Sequence, residues 1–223
     1  MKKKQIGIVA TQLGNDRQYV GIPRSYEFFL RKFGDVILIQ PDQEINESLD
    51  LLVLPGGDDV LSSRYKEAPS VFNTKCNPYL EYFDTEILPQ YIQNETPIFG
   101  ICRGLQTLNV HFGGKLVQQI NFFHGYSEPR TELVNELLKL NDSPAIRLKK
   151  DQFKVNSLHH QGVSLEYLAE GLEALYISPE RDPKDSIVEV LRHTNDKIYA
   201  VQYHPEEIFD TVSKQIINHL LKK

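Results

Sequence analysis

Only two cysteines, Cys76 and Cys102, occur in 223 residues. That is too few for a disulfide framework, and a cytosolic chain would keep both as thiols. No apolar stretch approaches the roughly 20 residues that cross a bilayer. The basic start MKKK is followed by an apolar run that stops after IGIVA and turns polar, which suits a first strand better than a signal peptide. Positive charge is also in deficit. A formal charge of −5 and a pI near 5.8 supply no net field to attract nucleic acid or an anionic membrane surface. Internal repeats, low-complexity tracts and linkers rich in Pro, Gly or Ser are absent. The expectation is one domain over residues 1–223, located in the cytoplasm.

What is present is an alternation of short apolar runs with helix-like stretches. Gln5 to Ala10, Val36 to Gln40, Leu51 to Leu54 and Pro97 to Ile101 are almost continuously apolar, as strands covered on both faces are. Ser25 to Phe33 and Tyr79 to Gln93 carry apolar residues at helical spacing, so the first half predicts βαβ units and a parallel sheet. After about Asn121 the character changes. Ala145 to Leu148, Phe153 to Leu158, Leu172 to Ile177, Ile187 to Leu191 and Lys197 to Tyr203 read as strands with little helix between them, which predicts antiparallel additions. The 121–153 segment reads as polar and irregular. A last helix is expected from Glu206 to Leu221, with Ile208, Val212, Ile216 and Leu220 on one face. The fold class is therefore α/β, a three-layer sandwich around a mostly parallel sheet.

Gly100-Ile-Cys102-Arg-Gly104 follows the last of the first-half strands and fits a nucleophile elbow, a strained strand-to-helix turn that lifts one side chain above the sheet. Glycines two residues either side of Cys102 are needed because the turn brings their backbones too close for a Cβ. A helix from Arg103 to Phe112 would point its positive end at Cys102 and favour thiolate over thiol, and the Arg103 amide stands where an oxyanion would form. The competing account is a buried structural cysteine. Cys76, without a glycine turn or a leading strand, reads as incidental.

A cysteine nucleophile needs a histidine and a group to orient it. Of seven histidines, His204 ends the run IYAVQYHPE, which would bring it to the carboxyl edge of the sheet where ligand sites of open α/β folds gather. Glu206 follows two residues later and can accept from the other ring nitrogen; it would also suit the first turn of a helix. His159 and His160 are competitors, but neighbouring strand residues face opposite ways, so at most one would aim at a given site. His111, His193 and His219 read as structural or solvated. Finally, Leu54-Pro-Gly56-Gly57-Asp-Asp ends a strand with two glycines whose amides could complete an oxyanion site.

In this order LPGGDDV, GICRGLQTLNVHFGG, VNSLHHQGV and YAVQYHPE run across nearly the whole chain, and the set resembles the class I glutamine amidotransferase-like superfamily, specifically its free-standing γ-glutamyl hydrolases of peptidase C26 type. The resemblance implies Cys102 as nucleophile, His204 as general base and acid, Glu206 as its orienter, and the Gly57 and Arg103 amides as the oxyanion hole. It further implies that Gly56, Gln106, Asn156, Ser157, Leu158, His159 and His160 border a γ-glutamyl group, with no cofactor and no metal. The expected reaction is hydrolysis of a γ-glutamyl amide through a thioester, and the expected partner is a small-molecule substrate, with a homodimer allowed. Two places depart from the family pattern. The loop Asp58 to Tyr65 lacks a proline before its tyrosine, and Phe83 rather than an arginine precedes Asp84. Arg64, Lys66, His124 and Arg130 could then face an anionic leaving group, so both a small amine and a nucleotide phosphoramidate stay open. The alternatives are a glutaminase that feeds ammonia to a synthetase partner and a non-catalytic scaffold on the same fold.

Overall fold

The computed structural model describes residues 3–13, 19–73, 75–120 and 127–222. In chain order the elements are β1 Gln5–Val9, β2 Thr11–Leu13, β3 Tyr19–Gly21, α1 Arg24–Leu30, β4 Asp35–Ile39, β5 Leu51–Leu54, α2 Pro78–Tyr82, α3 Leu88–Gln93, β6 Ile98–Ile101 and α4 Arg103–His111. They continue with β7 Asn135–Lys139, β8 Gln152–Val155, β9 Leu172–Ser178, β10 Ile187–His193, β11 Ile198–Val201, α5 Pro205–Ile208 and α6 Thr211–Leu220. One sheet of nine strands runs in the order β4-β1-β5-β6-β11-β10-β9-β7-β8. The strands from β4 through β11 pair in parallel, and β10, β9, β7 and β8 extend the sheet by antiparallel pairing. β2 and β3 form a separate hairpin.

Period-two alternation sorts the strand residues onto two faces. Ile6, Ile8 and Val53 pack with Phe29 and Leu30 of α1 and with Val212, Ile216 and Leu220 of α6. Leu52, Leu54 and Ala200 pack on the other face with Phe83, Leu88, Leu105 and Leu108. The three layers follow from this division. Each apolar run needs cover on both faces, and the helices supply it at roughly 25 cal/mol per Å² removed from water.

Four expectations change. The 79–93 stretch is helical but contains a π turn, Phe83–Ile87, between α2 and α3. Pro89 has no N–H to return to residue 85, which favours the wider turn there; Asn77 caps the start by accepting from the amides of Tyr79 and Leu80. The last helix is two helices. Phe209 adopts the left-handed region at φ 54° and ends α5, and the Asp210 side chain then accepts from Ser213 N to start α6. Ala145 to Leu148 is not a strand: Ile146 and Leu148 reach the core from irregular backbone, and Ser143 Oγ takes the Ile146 amide. The 121–153 segment holds β7, whose alternation Asn135, Leu137 buried against Glu136, Leu138 exposed is masked in sequence by its charges. Residues 121–126, including His124, lie outside the described residues.

Candidate active site

Three parallel strands deliver their next residues to one edge. Leu54 pairs with Gly100, and Ile101 with Val201, so Gly56, Cys102 and His204 each follow a strand end by one to three residues. Cys102 N donates to Val201 O at 2.8 Å, which ties the elbow directly to the strand that carries His204. Cys102 itself sits at φ 52°, ψ −104°, a strained region for a residue with a Cβ. A Cβ at Gly104 would meet Leu54 O at 2.5 Å, and one at Gly100 would meet Gly104 C at 2.8 Å. The turn can close only with glycine at both places.

His204 and Glu206 are packed as a pair. The imidazole Nδ1 lies 2.6 Å from Glu206 Oε1, and His204 and Glu206 are both buried, at 6% and 1% exposure. Pro205 opens α5, so Glu206 lies in its first turn, where the helix dipole favours a carboxylate. Burial works against a charged imidazole at His204, but the charge of Cys102 and then that of Glu206 outweigh it, with hydrogen bonds to both, and hold its pKa up to about 10. Gly56 lies between the partners. A Cβ there would come within 2.8 Å of His204 Cε1, 3.0 Å of Tyr26 Oη and 3.5 Å of Cys102 Cβ.

Asn156, expected at the substrate, clamps the backbone of His204. Its Oδ1 accepts from His204 N at 3.0 Å, and its Nδ2 donates to Arg130 O at 2.8 Å and to His204 O at 3.4 Å. Ser157 exchanges backbone contacts with Ser127: Ser157 N donates to Ser127 Oγ and Ser127 N to Ser157 O, each at 2.8 Å. Leu158 is half-buried. His159 Nδ1 contacts Gln161 O at 2.9 Å. His160 bridges two loops, with Nε2 at 2.8 Å from Asp59 Oδ1 and Nδ1 at 3.2 Å from Gln119 Oε1; the Asp59 hydrogen bond raises its pKa against the opposing effect of burial. Gln106 is buried on α4 and donates to Gln161 O at 3.0 Å and Gln202 Oε1 at 3.3 Å.

Of the basic residues expected near a leaving group, Arg64 is drawn into an ion pair with Asp84 at 2.8 Å and Arg130 into one with Glu207 at 3.1 Å. Lys66 is exposed. A cleft of about 960 Å³ is lined by segments around Leu116–Ile120 and Glu180–Ile187 and contains none of Cys102, His204 or Glu206.

Sequence reasoning missed Tyr26 and Gln202. Tyr26 hides in the apolar stripe of α1, yet its hydroxyl accepts from Gly56 N at 3.0 Å. Burial, then the charges of Glu206 and Cys102, hold its phenol well above its ordinary pKa. Gln202 left a signal, a lone amide between the buried Val201 and Tyr203. Of the two glycine amides in this loop, that of Gly56 is thus held by Tyr26.

A family model described as Peptidase C26 matches residues 14–206. The glutamine amidotransferase-like protein YvdE of Lactococcus lactis is 31% identical over 168 residues, 73% of this chain and 68% of its own length. A Schizosaccharomyces pombe protein described as a glutamine amidotransferase, PB2B2.05, is 30% identical over 218 residues, 91% of this chain and 80% of its own. Among solved structures, a Thermoplasma acidophilum protein described as a GMP synthase subunit superposes with a TM-score of 0.66 at 19% identity, over 100% of this chain and 94% of its own, which speaks for the fold. Among the described residues no helix is long and apolar enough to cross a membrane. With the elbow, the glycine loop and the buried His-Glu pair on one sheet edge, and with a family model spanning most of its length, the chain belongs to the peptidase C26 family of class I glutamine amidotransferase-like proteins.

Proposed function

We propose that the protein is a cysteine-dependent hydrolase of γ-glutamyl amides that releases glutamate and an amine. The observation that carries this is the meeting of a strained Cys102 with a buried, Glu206-bound His204 across Gly56. A charged imidazole facing Cys102 stabilises the thiolate, the form that attacks. The thiolate adds to the γ-carbonyl carbon, and the carbonyl π electrons move to oxygen. The oxyanion is received by the amides of Gly57 and Arg103; Arg103 heads α4, where a first-turn N–H has no partner within the helix. Collapse breaks the C–N bond as imidazolium gives its proton to the leaving nitrogen. The neutral imidazole then takes a proton from the water whose oxygen adds to the thioester carbonyl; collapse breaks the C–S bond and restores the Cys102 thiolate beside the imidazolium, and the new carboxylic acid leaves and gives its proton to solvent. Glu206 holds Nδ1 throughout, and Asn156 fixes the backbone of His204.

Gln161 Oε1 and Gln202 Nε2 are buried without a hydrogen-bond partner among the described residues. Gln106 ties these two segments together, donating to Gln161 O and to Gln202 Oε1. On the other side of the scissile bond, the pairing of Arg64 and Arg130 with carboxylates favours a small amine over a nucleotide phosphoramidate.

The test is glutamate release from a panel of glutamine, γ-glutamyl-γ-aminobutyrate, a γ-glutamyl polyamine and a γ-glutamyl nucleotide amidate, with Cys102→Ala as control. One amide cleaved far faster than glutamine, with an inert variant, is the expected result. A second reading, the glutaminase of a two-protein amidotransferase, draws on the Thermoplasma structure's description as part of a synthase. It predicts slow cleavage of glutamine alone and none of the other three. Inertness toward all four refutes the hydrolase.

A further inference from the structure

Behind the elbow lies a cluster of buried charge that takes no part in the reaction steps. The Arg103 guanidinium is 3% exposed. Its Nη2 meets Glu81 Oε1 at 2.7 Å, and its Nη1 meets Asp84 Oδ2 at 2.8 Å and Thr107 Oγ1 at 3.1 Å. Thr107 Oγ1 donates in turn to the same Asp84 oxygen at 2.9 Å. Arg64 closes the cluster on its outer side, 2.8 Å from Asp84 Oδ2 and 3.5 Å from Glu81 Oε2. Two cations and two anions thus balance out of water. Such a cluster gives little net stability compared with well-packed apolar side chains of the same volume. What it supplies is geometry, since a planar guanidinium held at both prongs cannot shift without breaking charge-assisted bonds.

The consequence appears at the other end of the Arg103 side chain. Its Cδ would lie 3.2 Å from a Cβ on Gly57, and Leu80 Cδ1 2.9 Å from the same point. The aliphatic stem therefore packs under the glycine loop, while the backbone of the same residue opens α4 beside Cys102. One residue thus touches the glycine loop with its side chain and carries, in its backbone, one of the two amides assigned to the oxyanion. Its carboxylate anchors come from α2 and from the π turn, where Asp84 sits, and Glu81 also accepts from Leu61 N at 3.3 Å on the loop leading from those glycines.

We propose that Asp84 and Glu81 are positioning residues for acyl transfer, acting through the Arg103 guanidinium to hold the Arg103 and Gly57 amides at the separation an oxyanion needs. This rests on the hydrolase reading for its kinetic half only. Asp84→Asn keeps the volume and removes one anchor charge; Thr107→Val removes a hydroxyl and leaves all four charges, and serves if the first variant does not fold. Arg103→Lys keeps the charge but cannot fork between two carboxylates.

The first readout needs no substrate. In ¹⁵N-labelled protein the Gly57 and Arg103 amide resonances should move in folded Asp84→Asn and Thr107→Val, the Gly57 resonance should move in Arg103→Lys, and amides of β9, remote from the cluster, should stay. The second is kinetic. Asp84→Asn and Arg103→Lys should lose about 10-fold or more in kcat with KM unchanged, since one oxyanion donor is worth about 10²–10³ in kcat. Alkylation of Cys102 by iodoacetamide, which builds no oxyanion, should keep its wild-type rate. Unmoved amides in folded variants overturn the proposal whatever the activity. So does a full kcat, or a parallel fall in kcat and alkylation, which would mean damage to the nucleophile instead. A wild type inert to every γ-glutamyl amide refutes the hydrolase, and the amide spectra still decide whether the cluster holds the two backbones.

Discussion

Replacing Cys102 by alanine should lower the pKa of His204, and the structure says by how much and why. In the native protein burial disfavours the imidazolium, yet the charge of Cys102, then that of Glu206, and hydrogen bonds to both hold the ring up to about 10. Against an ordinary value near 6.5 this is about 5 kcal/mol in favour of the protonated ring, at about 1.4 kcal/mol per pKa unit. The variant removes the first of the two charges and its hydrogen bond. Burial and the 2.6 Å contact with Glu206 remain. An opposite charge at contact distance shifts a pKa by about 1–3 units, so the ring should titrate lower by that amount. The assay is an NMR titration of ¹³Cε1-labelled histidine in both proteins, with His204 assigned through His204→Gln. Stability must move in step. The native state keeps the His204 proton above pH 6.5 where the unfolded chain releases it, so this contribution is whole below 6.5 and is lost as pH rises through about 10. In Cys102→Ala that loss should come at lower pH in urea unfolding series. If His204 titrates at the same pH in both proteins, the thiolate is not its partner, and the nucleophile-base pairing is wrong.

Three further outcomes are expected. Gly56→Ala places a methyl 2.8 Å from His204 Cε1 and 3.0 Å from Tyr26 Oη, and displacing the imidazole should cost about 100-fold in turnover while thermal melting still shows a folded protein. Asn156→Ala strands the buried His204 amide, so urea unfolding should report a loss of about 1–3 kcal/mol, with kcat falling more than KM rises. Glu189→Gln tests a carboxyl that lies outside the reaction: burial holds its pKa up to about 8 from an ordinary 4.5, the Asn135 amide pulling weakly the other way. The native state therefore binds the extra proton between 4.5 and about 8 and loses stability across that window as pH rises. The variant should match wild type near pH 4 and be the more stable one at pH 9, with about 5 kcal/mol as the ceiling.

The parts of the site that were legible in sequence are those encoded by local backbone demands. GICRG and PGG each announce a turn because only glycine meets the close approaches at residues 100, 104 and 56, and these constraints act within a few residues. The Leu51 to Leu54 run was readable as a strand for a similar reason, since burial on both faces leaves no polar position; Val36 to Gln40 reads the same way although it forms the edge strand, with Leu38 exposed. Ala145 to Leu148 shows the limit. It is apolar enough for a strand, yet its neighbour in space is not written in it, and it settles as irregular backbone. Asn156 shows the limit at the site. Its motif marks it as functional, but the atom it holds belongs to residue 204, 48 positions away, so nothing local tells a substrate contact from a backbone clamp. Tyr26 is harder still, because an aromatic in an apolar stripe looks like core until the Gly56 amide is seen on its hydroxyl.

The two places where the chain departs from the expected pattern meet at Asp84. Phe83, where an arginine would be expected, is fully buried and packs with Tyr91 at 6.2 Å, so no guanidinium can reach Asp84 from the preceding residue. The altered loop supplies one from outside: Arg64, in the 3₁₀ turn Ser62–Tyr65, meets Asp84 Oδ2 at 2.8 Å. A buried Asp84 facing Arg103 alone, with Glu81 beside it, would leave two carboxylates on one cation, and an uncompensated buried charge is costly. The loop and the helix are therefore coupled through charge balance. A change at residue 83 alone, or at residue 64 alone, would unbalance the cluster behind the elbow, whereas Phe83→Arg together with Arg64→Leu tests whether the guanidinium can be moved back. If the double variant regains the turnover that Arg64→Leu loses, the loop's divergence concerns the support of the site. Divergence in that loop would then say little about which amine leaves.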